Sequence, residues 1–160
     1  MTGEEDGRIG VVAALVRGAF LVNAVYTESA REFDITAQQG QLLCVLMPGP
    51  YGMGELGTTL GLAKSSLTGL VDRTERNGLV RRGPDPRDSR AVRIALTRKG
   101  AALAERFYAE TCRRVERLTA ELTDADRDTL AALLGSVVTA NKVPVVFHEP
   151  DPGIEVRATN

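Results

Sequence analysis

The sequence predicts a mainly α fold carrying a small β-hairpin, and three observations point there. Over most of the 160 residues, apolar side chains recur every three or four positions, the period of a helix packed on one side. Between Gly78 and Thr97 the period changes: Val92, Ile94 and Leu96 alternate with Arg93, Ala95 and Thr97, as along a strand. The stretch GPDPRDSR (83–90) then separates this run from Leu79–Arg82, supplying the connection a hairpin needs.

Each element follows from local chemistry. Ile9, Val12, Ala13, Val16, Ala19, Phe20 and Asn23 predict a first helix over Arg8–Phe33. Leu15, Val22 and Val25 add a second stripe, so this helix expects partners on several sides. Thr36, with Gln39 three residues on, has the form of a capping box opening a second helix to Met47, which Pro48-Gly-Pro-Tyr-Gly ends. A short helix near 54–60 leads through Gly61-Leu62 to a fourth at about Lys64–Asn77, with Gly78 as its stop. Strands are expected at Leu79–Arg82 and Ala91–Thr97. Thr97 then caps a long helix to about Glu121, and Thr123 a last one with Leu130, Leu133, Leu134, Val137 and Val138 on its buried face. From Val143 three prolines and no periodicity predict an extended or disordered tail, 143–160.

Composition narrows the function. Hydrophobic residues are 43% and charged ones 26%, ordinary for a globular chain, and the apolar stretch Val11–Tyr26 is broken by Arg17 and Asn23. Acids stand near the start (MTGEEDGRIG) where a secretory leader needs bases, so a cytoplasmic location is expected. Cys44 and Cys112 make no disulfide framework, and His148 as the single histidine anchors no zinc site; no metal or cofactor is expected. Cys44 reads as a core thiol and His148 as solvated. Cys112, followed by Arg113 and Arg114, reads as incidental or, alternatively, as a redox sensor whose thiol those cations activate. The formal net charge of −1 is unevenly spread: residues 64–99 hold ten of the 20 Lys/Arg but four of the 21 Asp/Glu. A basic segment on an acidic scaffold suits a localised polyanion surface, although a charge run can also be a merely solvated face.

Two motifs compete for the middle of the chain. GMGELG (52–57) has the form of the dinucleotide fingerprint, which would make this a nucleotide-dependent enzyme. The fingerprint needs a strand-to-helix turn in a βαβ unit, whereas LLCVLM before it continues a helical pattern; no NAD or NADP binding, and no enzyme, is expected. The rival reading is a helix–turn–helix over residues 54–77. Leu67, Leu70, Val71 and Thr74 face inward on the second helix, while Lys64, Ser65, Ser66, Thr68, Gly69 and Arg73 face out. Small hydroxyl side chains let a helix start sit deep in a major groove and bond phosphates or base edges. Arg81, Arg82, Arg87, Arg90 and Arg93 on the adjoining hairpin then read as a wing, with Asp88 holding the Arg90 guanidinium. A third class, an oligomerisation protein indifferent to DNA, would keep the apolar helices without using the basic surface.

Residues 8–140 resemble the MarR (multiple antibiotic resistance regulator) family of winged helix–turn–helix regulators. The segments that carry this are ELGTTLGLAKSSLTGLVDRTERNGLVRR (55–82) and DSRAVRIALTRKG (88–100), the latter with a D-x-R wing signature and L-T-x-x-G at Leu96, Thr97 and Gly100. The resemblance implies one winged helix–turn–helix DNA-binding domain, about 36–97, with a helical dimerisation region at about 8–33 and 98–141. It implies a homodimer on a pseudo-palindromic double-stranded operator, acting as a repressor and released by a small-molecule effector where the first, second and fifth helices meet the winged part. It places DNA contacts on Lys64, Ser65, Ser66, Thr68, Arg73, Asp88 and Arg90; Arg87 is a further wing cation. Tyr26, Tyr108, Phe20 and Phe107 read first as core and second as the lining of an aromatic-tolerant pocket. Two positions depart from the family: Ala63 where a helix cap is common, and Gly69 where a larger polar residue faces DNA.

Overall fold

A computed structural model describes residues 8–149. In chain order the elements are α1 (Val11–Glu32), α2 (Ala37–Leu46), β1 (Tyr51–Gly52), α3 (Met53–Leu60), α4 (Lys64–Arg76), β2 (Val80–Asp85), β3 (Asp88–Leu96), α5 (Arg98–Leu118) and α6 (Asp124–Ala140). The strands form one antiparallel sheet in the order β1-β3-β2.

The caps form as their residue types dictate. Thr36 Oγ1 accepts from the Gln39 N–H at 3.1 Å while Gln39 Oε1 accepts from the Thr36 N–H at 3.0 Å, a reciprocal box at the start of α2. Ala63 provides no side-chain cap for α4, which leaves that helix start dependent on outside partners. Gly61, at φ 64°, makes the left-handed turn between α3 and α4 that a side chain would strain. One core gathers Leu42, Leu43 and Leu46 of α2, Leu56 of α3, Leu67, Leu70 and Val71 of α4, and Val80 and Ile94 of the sheet. A second cluster joins Ala30, Cys44 and Phe107 to the half-buried rings of Tyr26, Phe33, Tyr108 and Phe147.

Three expectations are corrected here. The strands outrun their predicted limits, so GPDPRDSR is mostly ribbon and only Pro86 and Arg87 lie between β2 and β3. Pro84 is tolerated because β2 is an edge strand. The Arg82 N–H, two residues earlier, already points away from β3 to Glu75, so the N–H that Pro84 lacks belongs to the unpaired edge. The second correction is β1, where Tyr51 pairs with Ile94 and Gly52 with Arg93. The glycine stretch therefore does begin at a strand end, but of an antiparallel pair two residues long rather than a βαβ crossover. Third, α6 buries none of its residues: Leu133 is 64% exposed, and Leu130, Leu134, Val137 and Val138 are also exposed.

The first helix shows the same pattern. It buries Val25, Ser29 and Ala30 near its end, whereas Val11, Val12, Val16 and Phe20 are exposed, Phe20 by 74%. Phe20 is thus not part of the core within one chain. Its 22 residues are long and apolar enough to cross a membrane by length and composition, longer than the stretch Val11–Tyr26 suggested. Its far half is tied into the fold, Arg114 of α5 pairing with Glu28 at 3.1 Å and Glu32 at 3.2 Å.

Candidate nucleic-acid interface

The start of α4 and the hairpin form the candidate surface. Leu67, Leu70, Val71 and Thr74 are buried and fix the inward face of α4, leaving Lys64, Ser65, Ser66 and Arg73 exposed and Thr68 half-buried. The Thr68 hydroxyl donates to the Lys64 carbonyl at 2.9 Å, so it offers a ligand its acceptor lone pairs. Gly69 has a structural consequence: a Cβ there would lie 3.2 Å from an Arg73 guanidinium nitrogen, so the missing side chain leaves room for that cation along the helix.

On the wing the five arginines divide into two groups. Arg82 is bound to Asp72 and Glu75 of α4, and the hydrogen bond it donates to Asp72 raises its guanidinium above its ordinary value. Arg93 donates to the Pro50 carbonyl at 3.0 Å, bracing β1 against β3. Arg81, Arg87 and Arg90 are exposed, with no side-chain partner among the described residues. Asp88 corrects the sequence reading in detail. Its Oδ1 accepts the backbone N–H of Arg90 at 3.0 Å rather than the guanidinium, just as Asp85 accepts the backbone N–H of Arg87 at 2.8 Å. Both acids shape the turn in the manner of Asx motifs and leave the arginine heads unengaged.

Behind the wing, Thr97 joins the sheet to α5. Its hydroxyl donates to the Gly78 carbonyl at 2.6 Å and accepts from the Gly100 N–H at 3.0 Å. The L-T-x-x-G segment is thus the joint between α4, the sheet and α5.

This arrangement, a helix–turn–helix followed by an arginine-bearing ribbon and framed by long helices, has known counterparts. The MarR family profile matches residues 33–91. The regulator PecS of Dickeya dadantii (strain 3937) is 33% identical over 134 residues, 82% of this chain and 78% of that one. The chain belongs to the MarR family. The repressor NicR of Pseudomonas putida is 28% identical over 134 residues, covering 82% of this chain and 84% of NicR. Wild-type apo MarR from Escherichia coli superposes with a TM-score of 0.74 at 29% identity, over 83% of this chain and 99% of that one. Fold and family together make this a MarR-family winged-helix, DNA-binding transcriptional regulator, and its relatives are regulators rather than enzymes.

In this MarR-family chain the cations beside Cys112 are already engaged. Arg113 and Arg114 turn to Glu110, so they do not activate Cys112. Burial pushes the Cys112 thiol up, against a lowering hydrogen bond with Tyr108, and burial pushes Cys44 up to about 12. A raised thiol stays neutral until pH passes its own value. Alkylation of Cys112 by iodoacetamide should therefore be slower at pH 8 than that of an unstructured cysteine peptide, and still rising above pH ~8.5. A rate that plateaus by pH 7 would restore the redox-sensor reading.

Sequence reasoning missed three polar groups. Ser29 Oγ of α1, Thr111 Oγ1 of α5 and His148 Nε2 are buried without a hydrogen-bond partner among the described residues, so the half-buried His148 ring is not the freely solvated one expected. Phe147 beside it stacks on Tyr108 at 4.4 Å between ring centroids, which orders the described part of the tail; residues 150–160 lie outside the described region. Ser29 lies three residues from Tyr26 on α1, and Thr111 three from Tyr108 on α5. Helical spacing of three therefore signalled a polar pair beside the aromatic one.

Proposed function

We propose that this chain is a cytoplasmic homodimeric repressor that reads a pseudo-palindromic operator with α4 and the wing and is released by a small effector. The observation that carries the reading is the exposed start of α4: Lys64, Ser65 and Ser66 stand clear on a helix whose opposite face is locked by Leu67, Leu70 and Val71. An uncapped helix start with exposed hydroxyls offers its N–H groups to a phosphate or base edge. Arg87 and Arg90 would follow the neighbouring backbone or minor groove. The exposed apolar faces of α1 and α6 support pairing with a second copy, and two copies of α4 about one helical turn apart (~34–36 Å) require a two-fold site. Repression is supported by the name of the similar NicR. The buried hydroxyls of Ser29 and Thr111, unpaired among the described residues and one helical turn from Tyr26 and Tyr108, support an effector with polar groups at the α1–α5 contact.

Selection of bound duplexes from a random pool, followed by footprinting, tests the reading; one unpaired half-site protected by a single chain would refute it. Residue by residue, Arg90→Ala should cost roughly 1–3 kcal/mol of binding and lower the salt slope by about one unit. Asp88→Ala should cost less and leave the slope unchanged, because it frees the turn without removing a cation. Arg87→Ala should cost less than Arg90→Ala. Equal losses at Arg87 and Arg90 would mean a diffuse basic patch with no assigned wing contact.

A further inference from the structure

Two acids sit on the helix proposed to meet DNA, where on charge alone they weaken binding to a polyanion. Asp72 and Glu75 lie three residues apart on α4, hence on one face, and both turn to Arg82 of β2. Asp72 Oδ1 is 2.6 Å from Arg82 Nη2, and Glu75 Oε2 takes Nη1. The other Glu75 oxygen, Oε1, accepts the Arg82 backbone N–H at 3.1 Å. One carboxylate thus caps both the edge of the strand and the side chain it carries. Only Asn77, Gly78 and Leu79 connect α4 to β2 through the chain, and Gly78 turns there at φ 74°. The side-chain triad bridges that same joint.

We propose that Arg82 is a positioning residue and not a DNA contact: with Asp72 and Glu75 it clasps the wing to α4, so that both meet the duplex as one rigid body. The proposal rests on the DNA-reading surface proposed above and explains why the acids are there. A fork held by two carboxylates is geometrically specific in a way that a lone surface ion pair is not. Its charge is already compensated, so on binding DNA it releases no counterion. Arg87 and Arg90, exposed on the same ribbon, differ from it on that count.

The experiment is equilibrium binding of the full chain to a duplex selected by the wild type from a random pool, at two salt concentrations, with melting curves confirming the fold. Arg82→Gln should weaken binding about tenfold with an unchanged salt slope, and Arg82→Lys should recover part of the loss by keeping one ion pair. Glu75→Gln and Asp72→Asn decide the matter by sign. Each removes a negative charge near DNA, so electrostatics alone makes binding tighter, whereas loss of the clasp makes it about three- to tenfold weaker. These two variants carry the test even where Arg82→Gln does not fold. A slope lowered by about one unit in Arg82→Gln would show a phosphate contact and overturn the proposal. Carboxamide variants that bind as tightly as the wild type, or more tightly, would overturn it as well. A wild type that selects no duplex would sink the DNA-reading surface itself, and the clasp with it.

Discussion

Gly100→Ala should cost about 3 kcal/mol or more and lower the melting midpoint by about 10 °C. A Cβ at this position would fall 1.8 Å from the Leu79 carbonyl oxygen. That obstacle is backbone, so no rotamer change relieves it. Nor can the Leu79 backbone retreat: its carbonyl accepts the Thr97 N–H at 3.0 Å, its N–H donates to the Thr74 carbonyl at 3.1 Å, and its side chain is buried in the core. The contact arises where α5 starts against the link from α4 to β2, so the strain would spread into the frame of the wing. Gly54→Ala is the matched control. Nothing lies within 4 Å of its added Cβ and the site is an exposed helical one, so this variant should be neutral or more stable by roughly 0.5–1 kcal/mol. Equal melting curves for Gly100→Ala and the parent chain would show that the joint between sheet and α5 is looser than described.

The double variant Val16→Asp, Phe20→Asp should convert a dimer to monomers and weaken operator binding by roughly 10²–10⁴-fold. Both side chains lie on the exposed stripe of α1, and neither belongs to the core clusters, so the fold of each chain should survive. The loss comes from dividing one two-handed contact into two independent ones. Leu133→Asp on α6 is an independent probe of the same surface, and it should act in the same direction. Sedimentation at micromolar concentration is the direct check. A parent chain that is already monomeric would remove the basis for the two-fold operator.

Why some of this was legible in the chain and some was not follows from the range of each interaction. Thr36–Gln39 and Thr97–Gly100 are local bonds between residue types with few other uses, and both caps formed as read. The inward face of α4 followed from helical spacing alone. Strand β1 escaped notice because two residues carry no period; it exists through Ile94 and Arg93, more than forty positions away. The roles of Arg82 and Arg93 were hidden for the same reason. Sequence counts five arginines on one ribbon, but only tertiary contacts reveal which are already engaged. The leucine stripe of α6 was read as a buried face, yet among the described residues nothing covers it, because periodicity marks an apolar face without saying what lies against it.

That uncovered helix also bears on how copies of the protein mix. Along α6 the described anchors are its own end bonds, chiefly the Thr123 cap and the Arg127 side chain on the Thr119 carbonyl at 3.0 Å. An isolated helix of 17 residues is only marginally formed in water. Ordering α6 and meeting a second copy would then be a single event, and parting two copies would mean melting it. Under the homodimer proposed above, part of the pairing energy would then go into ordering the helix, and the strength of pairing would track how readily α6 forms. A defective allele made beside a sound one would enter mixed pairs and poison them, a dominance visible in cells carrying both copies.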